Sequence, residues 1–121
     1  MNDTLREREK AFEADYKLQE ELKFKAESRR NKLLGLWAAE RMGMSEKLAQ
    51  SYAKEVVLSD LLEPGTEDLV GKLLEDFDKF KVNMKRDEIV AEMERLQAIA
   101  LDQVTNEYPD PLGNDHEKVG D

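Results

Sequence analysis

The sequence predicts an all-α fold: an antiparallel four-helix bundle with a long first helix, a mobile N-terminal arm and a disordered C-terminal tail. Three observations carry this. Apolar residues recur at three- and four-residue steps through most of the chain, and no segment sustains the alternation of a strand. Turn signals are sparse and well separated: Gly43 before Ser45, then Pro64-Gly65 before Thr66. A basic cluster, Arg29-Arg30-Asn31-Lys32, runs directly into the densest apolar block, Leu33-Leu34-Gly35-Leu36-Trp37-Ala38-Ala39, which holds the only Trp. Leu33, Leu34, Trp37 and Ala38 fall on one helical stripe and are the expected seam of the core.

The first helix starts at a cap from Asp3 or Thr4, with acids in its opening turns. No Pro interrupts it before Met42, and pairs such as Glu13–Lys17 and Glu21–Lys25 attract at i,i+4. Its apolar content is thin over Leu5, Phe12, Tyr16, Leu22 and Ala26 and dense from Leu33 onward. Packing can fix the second half, whereas the first half frays without a partner, because isolated helices are marginal in water. Gly43 ends it, and about three residues link it to a second helix capped by Ser45, whose expected stripe is Leu48, Ala49, Tyr52, Ala53, Val56, Leu58 and Leu61. Thr66 is the expected cap of a third helix, with Leu69, Val70, Leu73, Leu74, Phe77 and Phe80 as its stripe. A fourth helix is expected from near Asn83, with Ile89, Val90, Met93, Leu96, Ala100 and Val104 on one face. The pattern breaks at Asn106-Glu107-Tyr108-Pro109-Asp110-Pro111. The chain is thus divided into a mobile arm over residues 1–18, a bundle over 19–105 and a disordered tail over 106–121.

Composition limits the function. The 121 residues suit one domain, with 40% hydrophobic and 39% charged residues. The net charge of −9 is uneven: residues 1–42 carry ten basic against nine acidic groups, and residues 43–121 nine against nineteen. An acidic body is a poor nucleic-acid binder. With no Cys there is neither a disulfide nor a thiolate metal site. The N-terminus lacks the apolar core of a signal peptide, and no run approaches the 18 or so apolar residues of a membrane span. The chain is expected to be cytoplasmic, outside the membrane and monomeric when free.

The residues offer no catalytic set. The single His, His116, lies in the expected tail, so neither a di-iron bundle site nor a His-rich zinc site is supplied. Acids such as Glu75, Asp76 and Asp78 read as a solvated helix face. Gly65-Thr66-Glu67-Asp68 opens a helix but lacks the Lys and glycines of a phosphate loop. Arg29, Arg30 and Lys32 form the basic cluster that could hold a nucleotide phosphate. The plainer reading stands beside it: a solvated face neutralised by Glu27 and the acidic helices.

The arm is the most suggestive stretch. A helix from Thr4 to Met42 would overhang the other three by half its length, and an overhanging, weakly anchored amphipathic helix suits a groove in another protein. Arg8-Glu9-Lys10-Ala11-Phe12-Glu13, followed by Ala26-Glu27-Ser28-Arg29-Arg30-Asn31-Lys32-Leu33-Leu34-Gly35-Leu36-Trp37-Ala38-Ala39, resembles the zeta subunit of alphaproteobacterial ATP synthases, a family of ATPase inhibitors. The resemblance covers about residues 5–105. It implies a bundle with an inhibitory arm that enters a catalytic interface of the ATP synthase head, formed by its alpha, beta and gamma subunits, and stops ATP hydrolysis. By position, it implies partner contacts from Leu5, Arg6, Arg8, Glu9, Lys10, Phe12, Glu13 and Tyr16. It also implies residence at the inner face of the plasma membrane when bound, no obligate cofactor, and weak ATP or ADP binding on the bundle. The alternative is a helical module for adenine nucleotides without strong inhibition.

Overall fold

A computed structural model describes the backbone of residues 2–107 and the side chains of Arg8, Lys10 and residues 13–107. Four helices follow in order: α1 (Asn2–Arg41), α2 (Glu46–Leu62), α3 (Thr66–Lys79) and α4 (Arg86–Glu107). The all-α bundle expected from periodicity is the fold found, with no strand among the described residues.

α1 is the spine, packing against both α2 and α4. Cross-contacts fix both pairs as antiparallel: Asn31 meets Asp60 on α2 and Gly35, a turn later, lies against Ala53, while Arg29 meets Gln103 and Arg30 meets Gln97 on α4. α3 touches α2 and α4 more lightly and presents Phe77 edge-on to Trp37, with ring centroids 5.8 Å apart. The core joins Leu34 and Ala38 of α1, and Met42 just past its end, to Tyr52 and Val56, to Leu69, Leu73 and Phe77, and to Ile89, Met93 and Leu96. Gly35 allows α1 and α2 to approach closely: a Cβ there would lie 2.7 Å from the Ala53 Cα.

The ends follow local chemistry. At the close of α1, Gly43 adopts φ 78°, its N–H donates to the Glu40 carbonyl at 3.1 Å, and the Met44 N–H donates to the Ala39 carbonyl at 3.0 Å. Ser45 caps α2, its hydroxyl accepting the Leu48 N–H at 3.3 Å. Lys81 takes the same role after α3 that Gly43 takes after α1, with φ 60° and the Val82 N–H on the Phe77 carbonyl at 2.9 Å.

Several expected details shift. The cap of α3 is Gly65 at φ 140°, and Thr66 becomes the first helical residue, because only glycine enters that backbone region readily. α4 begins at Arg86 rather than near Asn83, since Val82 and Met84 first pack against the core. The seam is split: Leu34 and Ala38 are buried, while Leu33 and Trp37 are half-buried at its edge. Leu48, Leu58, Leu61 and Phe80 are exposed rather than in the core. On α2 the core face is set by Tyr52, Ala53 and Val56, and Leu58 lies about 200° round the helix from Val56. Two residues of the expected tail are helical: Asn106 and Glu107 belong to α4, where Arg29 holds Glu107. The rest of that expectation, residues 108–121, lies outside the described residues.

Candidate functional site

Forty residues make α1 about 60 Å long, against about 25 Å for the 17 residues of α2. Its first described side chain to share a cleft with α2 is Phe24, and its first buried side chain is Ala26. Roughly 33 Å of helix therefore precedes the bundle. Along it Arg8, Lys10, Glu13 and Tyr16 are exposed, with Leu18 and Leu22 half-buried. Of the expected partner-binding residues, the side chains of Leu5, Arg6, Glu9 and Phe12 lie outside the described residues. Arg8, Lys10, Glu13 and Tyr16 stand on one continuous helical rod, spaced by the α-helical rise.

The helix projects because its root is firmly held. Arg29 makes a paired contact with Glu107, one bond of which is 2.7 Å long, and donates to the Gln103 side-chain carbonyl at 3.3 Å. This hydrogen bond holds the Glu107 carboxyl below its ordinary value, helped by the charges of Arg29 and Lys25. Arg30 donates to Gln97 at 3.0 Å and to the Asn31 side-chain oxygen at 3.1 Å. Asn31 is buried, and its amide donates to Asp60 at 2.8 Å. The other Asp60 oxygen accepts the Gly65 N–H at 3.4 Å. One polar chain thus ties α1 to the turn between α2 and α3, as buried polar groups require.

The basic cluster does not converge on one point. Arg29 and Arg30 are turned toward α4, whereas Lys32 is exposed. The two-residue step from Arg30 to Lys32 turns about 200° round the helix, so these two cannot grip one phosphate. Arg30 instead borders a cleft of about 330 Å³ with Thr66, Val90, Met93, Glu94 and Gln97. No local pattern marks Gln97, Gln103 or Glu107 as partners, because each lies more than 65 residues away along the chain.

The described residues include no group of three or more metal-ligating side chains and no helix long and apolar enough to cross a membrane. A deep polar contact elsewhere ties α2 to α3. The buried Tyr52 hydroxyl donates to Asp76 at 2.7 Å, and Lys72 bridges Asp76 and Glu55. Burial, followed by the bond to Asp76, pushes the Tyr52 hydroxyl far above its ordinary value, so it remains a neutral donor. Tyr52, Asp76, Lys72 and Glu55 together fasten α2 to α3.

Comparison with known proteins identifies this architecture. The sequence model of a family described as ATPase inhibitor subunit zeta matches residues 2–103. The chain belongs to the ATPase inhibitor subunit zeta family. A solved structure, described as a solution NMR structure, is 45% identical, with a TM-score of 0.63. The match covers 72% of this chain and 99% of that one. No curated protein matches the sequence. The matched span of the zeta family takes in both the projecting half of α1 and the bundle that roots it.

Proposed function

We propose that this zeta-family chain inhibits ATP hydrolysis by the catalytic head of an ATP synthase, and that it does so by inserting the projecting half of α1 into a catalytic subunit interface. The observation that supports this most is the overhang itself. A helix anchored through Ala26, Arg29, Asn31 and Leu34 extends well beyond every helix it packs on, with charged side chains and Tyr16 facing outward. Such a rod offers a partner an uncovered helical face without dismantling the bundle.

In this reading Arg6, Arg8 and Lys10 meet acidic groups of the cleft, and Glu9 and Glu13 complete the charged segment. Leu5, Phe12 and Tyr16 enter apolar pockets between the alpha, beta and gamma subunits, since buried aromatics and Arg carry most interface energy. Ordering the arm costs conformational entropy, which the cleft must offset. The chain is a regulator and not itself an enzyme. It acts as a monomer on the cytoplasmic side, at the inner face of the plasma membrane, without a resident cofactor. The test compares full-length protein with a form lacking residues 1–16, as inhibitors of the purified head. Complete loss of inhibition on deletion is expected; equal potency of the two forms would refute the arm mechanism.

The alternative, an adenine-nucleotide module, has the cleft beside Arg30 in its favour, although Glu67 and Asp68 at the nearby start of α3 repel phosphate. A chemical-shift titration separates it from the arm reading. Saturable shifts around Arg29, Arg30 and Lys32 favour nucleotide binding, and their absence at millimolar ATP or ADP dismisses it.

A further inference from the structure

The end of the bundle from which α1 projects carries an apolar surface that the fold does not use. Phe24 of α1 is 56% exposed, and Leu58, Leu61 and Leu62 of α2 are 54%, 51% and 72% exposed. Phe24 and Leu61 wall a cleft of about 200 Å³ with Val57 and Pro64, and its floor is the hydrogen-bonded pair Asn31 and Asp60. The floor is satisfied within the chain, so the walls set what the cleft accepts: an apolar side chain. Leu58 and Leu62 extend the same apolar flank along the last two turns of α2. Elsewhere on α2 the outward face is mostly polar, with Gln50, Ser51, Lys54 and Glu55 exposed.

Large exposed apolar side chains gathered at one place mark an interaction site more than isolated ones do. Their location selects the occupant. From Tyr16 to Phe24 is about 12 Å along one continuous helix. A protein that admits the arm as far as Tyr16 therefore faces this end of the bundle. Size points the same way: a stable independent dimer buries at least about 1,000 Å², and one Phe with three Leu falls short of that. The patch suits a contact made beside a larger one to which it is tethered, where effective concentration makes a small surface count.

We infer that Phe24, Leu58, Leu61 and Leu62 form a second seat for the ATP synthase head, receiving an apolar side chain at the mouth of the cleft that the arm enters. The inference rests on the arm entering that cleft. The arm supplies inhibition, and the seat sets how tightly and for how long the inhibitor stays. Glu27 lines the cleft as well, so the head residue seated there is expected to have a basic neighbour.

The experiment measures the half-inhibitory concentration of the full chain on the purified head, for wild type, for Phe24→Gln with Leu61→Gln, for Leu58→Gln with Leu62→Gln, and for the form lacking residues 1–16. Gln favours helix and all four sites are exposed, so melting temperatures check that the fold is kept. The expected result is a rise of about tenfold for the first pair and about threefold for the second, with unchanged maximal inhibition. The arm deletion separates the two claims: if it keeps full potency, the arm reading fails first. If it abolishes inhibition while both Gln pairs inhibit like wild type, the seat alone is wrong. A photoreactive benzophenone carried at position 61 decides the occupant independently of potency. Cross-linking to a subunit of the head supports the seat, whereas cross-linking only to a second copy, or only to residues 108–121 of the same chain, overturns it.

Discussion

The two halves of α1 share one backbone and almost nothing else. From Ala26 to Arg41 the helix contributes five buried apolar or small positions and two paired arginines, and Met42 just beyond it adds a sixth. From Arg8 to Lys25 none of its described side chains is buried. Helical geometry is therefore the same in both halves, while what holds it differs. In the inner half it is packing; in the outer half it is local helix propensity, which is weak in water. Packing constrains the inner half. The outer half carries no such burial, and partner recognition is the role proposed for it.

This contrast can be broken most forcefully at Leu34, which is fully buried. Leu34→Ala should cost about 3 kcal/mol through lost burial and a cavity. Tyr16→Ala, on the projecting half, should change stability by less than about 0.5 kcal/mol. Denaturant midpoints of the two variants measure the difference, and similar losses for both would mean that the outer half is packed after all.

A smaller effect is expected at Gly35. Replacing it with Ala gains about 1 kcal/mol of helix propensity. The new Cβ, however, would meet the backbone of Ala53 at 2.7 Å, and overpacking of that kind typically costs about 1–3 kcal/mol. Clash outweighs propensity, so Gly35→Ala should lower the thermal midpoint. A raised midpoint would mean that α1 and α2 separate at little cost.

These sites also show what the sequence could and could not reveal. Gly43, Ser45 and Pro64-Gly65 act through bonds within a few residues, so the helix order was readable from local chemistry. Spacing showed that Leu58 and Leu61 belong to a helix but not which face is covered, because that depends on the close approach at Gly35 and Ala53. Likewise, Asn31 and Asp60 pair across 29 residues, and Arg29 and Glu107 across 78. No local pattern encodes either pair. The arm residues stand out by resemblance as much as by physics, since an exposed charged helix has few internal constraints.

The smallest predicted effect sharpens the boundary between the halves. Glu107 titrates lower in the folded chain because of its bond to Arg29. A lowered carboxylate stabilises the fold above its unfolded value, and that contribution fades as pH falls through the folded value. Glu107→Gln should remove this part of the acid sensitivity while leaving stability near neutral pH only slightly reduced, because the pair is exposed. Acid titrations of both proteins followed by circular dichroism make the comparison; identical acid curves would exclude the pair from rooting α1.

Amide hydrogen exchange along α1 in the free protein tests the central claim most directly. Amides from Leu34 to Met42 should exchange only through global unfolding, and those from Arg8 to Glu20 at least about a hundredfold faster. Uniform protection from Arg8 to Met42 would contradict the claim that one helix is divided into a packed root and an uncovered recognition rod.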